Sequence, residues 1–286
     1  MSDRLIDRGT FLRKFTFNRR QRALFVAMSM VLFLTGMVAG GVFLGPENLA
    51  VNLDNRNRPP ALEHLFGTDW LGRDMFVRTL KGLTTSFGVG VAASLLSTLI
   101  ALGLSLLTSW HRMIDQVITW LIDLFLSVPH IVILILISFA LGGGFKGVVI
   151  GLAFTHWPSL TRLLRAEVLQ TQSAEYVRIS QQLGKSRLWI ARHHFLPQLI
   201  SQMLVGFILL FPHVILHEAA LSFLGFGLSP EEPAIGIILS ESMGYLSTGM
   251  WWLAFFPGLS LLLMVVAFNL LGRNVRRLLD PYQDHQ

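Results

Sequence analysis

The sequence EYVRISQQLGKSRLWIARHHFLP, which runs from Glu175 to Pro197, decides how the rest of the chain is interpreted. It is the longest polar, charge-bearing stretch between two strongly apolar runs. Tyr176, Ile179 and Leu183 recur at the spacing of one face of an amphipathic helix. Gly184 follows at the position where a left-handed residue can end that helix. The pattern predicts a short helix closed by a glycine.

A second short helical segment is predicted from Ser186, and it leads into the next apolar run at Leu196-Pro197. An apolar stripe on a polar loop suits neither lipid nor water alone, so the pattern favours docking on a partner protein. An amphipathic loop that lies on the membrane surface fits the pattern equally well. Both interpretations stay open at this point.

The composition is that of a polytopic membrane protein. Of the 286 residues, 52% are hydrophobic and 14% are charged, whereas soluble domains carry about 25% charged residues. The mean hydropathy is +0.57 and the sequence pI is near 10.3. Basic residues cluster beside the apolar runs, where they set topology, so the net charge of +6 predicts no nucleic-acid partner. The absence of cysteine excludes disulfides and thiolate metal sites.

Six apolar runs are each long enough to cross a bilayer as a helix. Backbone polar groups in lipid have to be paired within a segment, so an all-α protein with about six transmembrane helices is predicted. The first run is about 20 residues long, which suits a span rather than the short core of a cleavable signal. Pro129 interrupts the third run and Pro212 the fifth, and each predicts a kink. The predicted spans cover about residues 23–44, 83–107, 117–141, 147–163, 198–225 and 251–271.

The orientation of the chain follows from its basic residues. One orientation places most of the 23 Lys and Arg residues, and both termini, in the cytoplasm. The reversed orientation would place the loop around Gly184 outside and is rejected. Gly142–Gly144 predicts a tight outer turn. The predicted organisation is a cytoplasmic segment at 1–22, a first transmembrane helix at 23–44, an extracytoplasmic segment at 45–81, a transmembrane core at 82–271 that contains the loop 164–197, and a cytoplasmic tail at 272–286.

The stretch around Gly184 resembles the cytoplasmic coupling loop of bacterial ABC-importer membrane subunits, the EAA loop. Arg178-Ile179-Ser180 stand at the EAA triplet and differ from it, whereas Gly184 and Leu196-Pro197 fit the spacing of the family's glycine and Leu-Pro. The resemblance implies a type I ABC-importer permease fold and docking on an ATP-binding subunit. The residues that it implicates in coupling are Glu175, Tyr176, Arg178, Ile179, Leu183 and Gly184.

Two further blocks resemble the C-type permease subunits of the peptide and nickel branch of ABC importers. FGTDWLGRD at 66–74 is similar to the LGTDxLGRD signature, and ALSFLGFG at 220–227 is similar to LSFLGLG. The three blocks cover about residues 66–230 in the family's order. Glycines allow sharp turns and the charged side chains can form charge-assisted hydrogen bonds, so the first block is expected to stabilise the fold. Its residues are Gly67, Thr68, Asp69, Gly72, Arg73 and Asp74.

Ionisable side chains inside the predicted spans are costly in lipid and mark a functional interior or a polar partner. Asp123 is expected to pair with Arg162 or Arg165. His213 and His217 are four residues apart and share a helix face, so their imidazoles can bind one metal ion. Two histidines hydrogen-bonded to the backbone are the alternative. The other ionisable residues in the spans include His130, His156 and Glu218.

A resemblance to the nickel branch bears on these histidines. The nickel-type C subunit has a His-Trp pair in its fourth span, like His156-Trp157, and a His-x3-His pair before its SFLG run, like His213 and His217. Glu218 instead matches an acid of the peptide branch. Nickel or a nickel chelate is therefore the expected substrate, with His213 and His217 as transient metal ligands. The predicted translocation path contains His156, His213, His217 and Glu218.

Two alternatives to this substrate stay open. In a di- or oligopeptide path, Glu218 would meet the amino group of the peptide. A channel or secondary carrier without an ATPase is the second alternative, but it leaves the coupling loop unexplained. His130 either joins the path or faces a neighbouring helix.

The chain lacks the motifs of two enzyme classes. His217-Glu218 is not followed by the second histidine of the His-Glu-x-x-His zinc proteases, and no Walker A loop is present. The resemblance implies a homologous B-type permease subunit, two ATP-binding subunits that hold ATP and Mg, and an extracytoplasmic substrate-binding protein. No cofactor is expected on this chain, its remaining partner is membrane lipid, and its expected location is the bacterial inner membrane.

The last predicted outer loop carries three acids, Glu231, Glu232 and Glu241. They either contact a substrate-binding protein or stay solvated, and solvation is the expectation.

Overall fold

A computed structural model describes residues 19–45 and 49–279. Most of the predicted N-terminal segment (1–18), residues 46–48 and the end of the predicted tail (280–286) lie outside the described residues. Within the described part all regular structure is helical, apart from an isolated bridge between Thr68 and Asp74. The α-helices are α1 (Arg19–Phe43), α2 (Met75–Thr108), α3 (Arg112–Ser127), α4 (His130–Ala140), α5 (Gly144–Gln172), α6 (Glu175–Gln182), α7 (Arg187–Ile190), α8 (Leu196–Phe223), α9 (Ile235–Leu246) and α10 (Trp252–Leu279).

Length and apolar composition qualify four described helices to cross a membrane: α1, α2, the continuous stretch Arg187–Phe223 and α10. The bent pair formed by α3 and α4 qualifies as a fifth span. Helix α5 is 29 residues long, but polar residues between Thr155 and Ser159 lower its apolar character. The described part thus offers four candidate spans, or five if the bent pair is one span, whereas the sequence predicts six. Helix α5 lies at the predicted fourth span but does not meet the same test.

The helices run past several predicted span limits. Helix α5 continues to Gln172, and α10 continues to Leu279, so the predicted tail begins inside a helix. Helix α8 begins at Leu196, and Pro197 lies in its first turn, where a missing N–H is tolerated. The glycine turn Gly142–Gly144 has positive φ at all three positions, which confirms the predicted turn.

Pro129 breaks the third predicted span into α3 and α4, whose axes are bent by 97°. The residue before it, Val128, is extended (φ −99°, ψ 141°), as proline requires of its predecessor. The break is therefore much larger than the predicted kink. Helix α8, in contrast, continues through Pro212 without interruption.

Helix α2 lies at the centre of the helix bundle and packs against α1, α3, α5, α8, α9 and α10. Its buried positions are rich in small and hydroxyl-bearing residues such as Gly90, Ser94 and Ser97, which let helix backbones approach closely. A Cβ atom on Gly90 would lie 2.7 Å from the ring of Phe211 on α8. The sequence of α2 thus permits the close packing of the helices that carry the candidate site.

The loop before α2 is organised by Asp69, which is fully buried. Its Oδ1 accepts hydrogen bonds from the backbone N–H groups of Leu71 and Arg73, both at 2.9 Å. Its Oδ2 accepts from Arg73 Nε at 2.7 Å and from Arg78 Nη1 at 3.3 Å. These are the charge-assisted hydrogen bonds that the sequence predicts within this loop.

Asp74 joins the same loop to α2. Its Oδ1 accepts from the N–H groups of Phe76 and Val77 at 2.8 and 3.1 Å, so it caps the helix. The Oδ2 atom lies 2.7 Å from His64 Nδ1. At Gly72, φ is +72° and an added Cβ would overlap the carbonyl of Asn52, so a side chain is excluded there.

Thr68 and Gly67 anchor the loop to its neighbours. Thr68 Oγ1 donates to the carbonyl of Asn55 at 2.5 Å and accepts from the N–H of Arg58 at 2.9 Å. Gly67, with φ +71°, lies against Trp252 of α10.

Glu241 on α9 is bound by the side chain of Arg78, which is buried. The expectation that Glu241 is simply solvated is therefore wrong for this residue. Trp70 stacks on Tyr245 of α9 with ring centres 4.5 Å apart. These contacts hold α9 against the loop that precedes α2.

Two ion pairs join α3 to α5. Asp123 accepts from Arg162 Nη2 at 2.8 Å, which is one of the two predicted pairings. Arg165 pairs instead with Asp115, through Nε at 2.5 Å and Nη2 at 2.7 Å.

Candidate translocation and coupling sites

Helix α6 carries the candidate coupling surface. Val177 is fully buried and packs in a cluster with residues of α5, α7 and α8, which include Leu164, Ile190 and Leu199. The predicted stripe faces away from that cluster: Tyr176 is 49%, Ile179 50% and Leu183 72% exposed. Glu175, Arg178 and Gly184 are exposed as well. The chain thus buries one face of α6 through Val177 and leaves about half or more of each side chain in its apolar stripe exposed.

Gly184 ends α6 in the left-handed conformation that the sequence predicts, with φ +74°. Its N–H donates to the carbonyl of Gln181 at 3.0 Å, and the N–H of Lys185 donates to that of Ser180 at 3.1 Å. This is the Schellman arrangement. No atom lies within 4 Å of the position of an added Cβ, so backbone conformation alone demands glycine in this chain.

The segment after Gly184 folds back on α6 and leads into α8. Ser186 caps α7 by accepting from the N–H of Trp189 at 3.2 Å. The side chains of Ser180 and His194 form a hydrogen bond at 2.9 Å. The chain continues through a π-helical turn at Ala191–Phe195 into α8 without interruption.

Three histidines meet where α4, α5 and α8 converge. One nitrogen of each of His130, His156 and His217 lies within 4.8 Å of the others. The ring centre of His130 lies 4.3 Å from that of His156 and 4.5 Å from that of His217. His156 is buried, and the other two are partly buried. We call these three residues the histidine cluster.

The structure groups the predicted path residues differently from the sequence expectation. His217 and His156 belong to the histidine cluster, but His213 lies outside it and is exposed. His130, which the sequence left unassigned, takes the place of His213. Glu218 is fully buried, and its Oε1 accepts from Ser222 at 2.8 Å. In this conformation it does not line a surface open to a peptide.

The bend at Pro129 explains why the sequence did not predict that His130 would lie beside His156 and His217. It is the first residue of α4, and the 97° bend directs this helix towards α5 and α8. The one signal in the sequence is the proline immediately before the histidine.

Residues 93–284 match the model of the family described as binding-protein-dependent transport system inner membrane component. The matched range covers more than half of the chain and contains both α6 and the histidine cluster.

Relatives cover nearly the whole chain. A Brucella suis protein named as a peptide transport system permease is 34% identical over 263 residues, which are 92% of this chain and 88% of that protein. The dipeptide transport system permease protein DppC of Bacillus subtilis is 32% identical over 265 residues, 92% and 83% of the two chains. The glutathione transport system permease protein GsiD of Escherichia coli is 34% identical over 272 residues, 93% and 89% of the two chains. All three are named for peptides or glutathione, not for nickel.

Proposed function

The chain belongs to the family of binding-protein-dependent transport system inner membrane components, and from this premise we propose that it forms part of the path by which an ABC importer takes up peptides. The observation that carries the choice of substrate is that relatives matching about nine-tenths of the chain are named for peptide, dipeptide and glutathione transport. We therefore propose peptides as the substrate, although the sequence analysis favoured nickel or a nickel chelate.

The general function, without its substrate, follows from family membership. The chain is a multi-pass permease subunit of an ABC importer in the inner membrane, with an all-α fold as predicted. It is a pore-forming component rather than an enzyme, and such importers work with ATP-hydrolysing subunits and a substrate-binding protein. Our proposal for this chain adds one homologous B-type permease subunit, two ATP-binding subunits that hold ATP and Mg, and one extracytoplasmic binding protein.

In the proposed mechanism, α6 docks in a cleft of an ATP-binding subunit through Tyr176, Ile179 and Leu183. Support comes from their exposure, because burying an apolar stripe in a partner removes it from water. Closure of the ATP-binding subunits would move α6 and, through the continuous chain into α8, change the opening of the pore. Such a switch needs contacts that differ between two states.

A nickel ion or nickel chelate is the second candidate substrate. It is favoured by the histidine cluster, since imidazole is a good ligand for nickel and related ions. In either case Glu218 would take part only after a rearrangement that opens its buried site.

Uptake measurements in cells with and without the gene decide between the substrates. We expect uptake of a labelled dipeptide or of glutathione to need the subunit and to return when the intact chain is supplied. Radioactive nickel at nanomolar concentration serves as the parallel substrate. Subunit-dependent nickel uptake with unchanged peptide uptake would overturn the peptide proposal in favour of the second candidate. Copurification of an ATP-binding subunit tests the importer assembly itself, and its absence would favour an ATPase-independent carrier.

A further inference from the structure

We propose that His130, His156 and His217 form a binding site for one divalent transition-metal ion of the zinc, nickel and cobalt class. Each residue comes from a different helix, α4, α5 and α8, and each contributes one ring nitrogen. Three imidazoles are a common ligand set for such ions.

The geometry of the histidine cluster is close to that of a metal site. The three candidate ligand atoms lie within 4.8 Å of one another. A tetrahedral ion with metal–nitrogen bonds of about 2.0–2.1 Å holds its ligand nitrogens about 3.3 Å apart. Small side-chain rotations therefore suffice to close the rings on an ion. The rings are edge-on or tilted to one another rather than stacked, which leaves ring nitrogens free to converge.

Backbone carbonyls orient two of the three rings. Nδ1 of His156 lies 2.8 Å from the carbonyl oxygen of Leu152, and Nδ1 of His217 lies 2.7 Å from that of His213. A carbonyl oxygen only accepts hydrogen bonds, so Nδ1 carries the proton in both rings and Nε2 carries the lone pair. A carbonyl partner on the second nitrogen is the usual support of a metal-binding histidine.

Three of the four remaining ring nitrogens are buried and lack partners. Nε2 of His156 and both ring nitrogens of His130 are buried and have no hydrogen-bond partner among the described residues. Ordinary interior histidines are hydrogen-bonded, because an unmade hydrogen bond in the interior is costly. A neutral imidazole has one lone pair in the ring plane, so His130 and His156 each hold one that nothing in the described residues uses. Two such lone pairs on adjacent rings point to a ligand that accepts them, and a metal ion is such a ligand.

Three protein ligands leave a fourth coordination position open, as in sites that exchange or pass on their ligands. Water or an amine or carboxylate group of an imported molecule can occupy it. That the ion is cargo, alone or as a chelate, rests on the second candidate substrate of the proposed import function, whereas binding of the ion does not.

The test is metal binding by the purified, full-length protein in detergent, with Co²⁺ as a spectroscopic probe. We expect one Co²⁺ per chain, visible d–d absorption bands of low-coordinate cobalt, and a rise in Tm that increases with cobalt concentration. The His130→Ala and His217→Ala variants should lose the bands and the rise in Tm, with at least a tenfold weaker affinity. His213→Ala is the matched control, because His213 lies one turn from His217 on α8 but outside the cluster.

Each outcome is decisive for the site. Retention of cobalt binding in both cluster variants, or its loss in His213→Ala, would overturn the proposal. Variants that do not fold are recognised by the Tm without metal, and His130→Gln and His217→Gln, which keep the bulk of the side chain, then replace them. Because the assay needs neither ATP nor a partner subunit, a protein that binds no cobalt but imports peptide refutes the site alone. A protein that binds cobalt without supporting uptake refutes the proposed function alone.

Discussion

Asp69 and Arg78 form an ion pair in the interior of the protein, with Oδ2 and Nη1 3.3 Å apart and the side chains 0% and 5% exposed. The two residues flank the start of α2, and Arg78 also binds Glu241 on α9. A buried charge without its partner is strongly destabilising. The pair thus ties the FGTDWLGRD loop to the helices beneath it.

Asp69→Ala should destabilise the protein by about 3–5 kcal/mol, because it removes the buried carboxylate that Arg73 and Arg78 share and leaves Arg78 with Glu241 as its remaining counter-charge. Thermal unfolding of the purified protein in detergent measures the change. Glu63→Ala is the matched control, since Glu63 is an exposed acid in the polar segment that leads into the same loop. Its loss should cost less than about 1 kcal/mol. Equal decreases in Tm for the two variants would contradict the structural role of the loop.

Gly184→Trp should abolish transport and leave membrane insertion intact, and it should lower the Tm of the isolated chain by no more than the backbone cost of a left-handed residue. No atom of this chain lies within 4 Å of an added Cβ at Gly184, so the transport defect is expected to come from collision of the bulky ring with a docked partner. The left-handed backbone adds a cost of about 1–2 kcal/mol for most residues. Gly184→Asn separates the two effects, because asparagine tolerates this conformation and is small. Normal uptake by the Trp variant would rule out docking at this position.

Ile179→Asp should prevent copurification of the ATP-binding subunits without unfolding the chain. The side chain is 50% exposed here, and the proposed docking would bury it. Leu62→Asp, at a residue 96% exposed in the segment before α2, is the control and should retain the subunits. Val177→Asp should instead lower Tm, since Val177 is fully buried in this chain. If Ile179→Asp still copurifies with the ATP-binding subunits at normal yield, α6 does not dock through this stripe.

Gly90→Ala should destabilise the packing of α2 against α8 by about 1–3 kcal/mol, because the new methyl group would lie 2.7 Å from the Phe211 ring. Gly88→Ala, two residues earlier on the same helix, has no atom within 4 Å of its new Cβ and should be neutral or slightly stabilising. Thermal unfolding of both variants tests the difference. The double variant Gly90→Ala/Phe211→Leu should recover part of the loss, and failure to do so would place the strain elsewhere.

Much of this architecture follows from local sequence signals. The apolar runs predict membrane helices because lipid leaves the backbone no other way to pair its polar groups. The glycine after Leu183 predicts the end of α6 because few other residues adopt φ +74°. The charged loop 66–74 predicts its own hydrogen bonds because the partners are at most a few residues apart.

Contacts between residues far apart in the sequence were harder to predict. Asp123 had two arginines one helical turn apart to choose from, and the packing of α3 against α5 selected Arg162. Glu241 lies far along the chain from Arg78, and no periodicity links them. The histidine pair His213 and His217 shares a helix face, yet the chain brings His217 to His130 and His156 instead.

The sequence by itself determined the class of protein, the approximate positions of its membrane helices and the helix–glycine unit that ends at Gly184, because each depends on contacts within one segment. Only the tertiary structure decided which histidines meet. The bend at Pro129 redirects α4, and the packing of α4, α5 and α8 then sets the distances between their side chains. Those distances depend on the angles between helices, and the spacing of residues along one helix does not predict such angles.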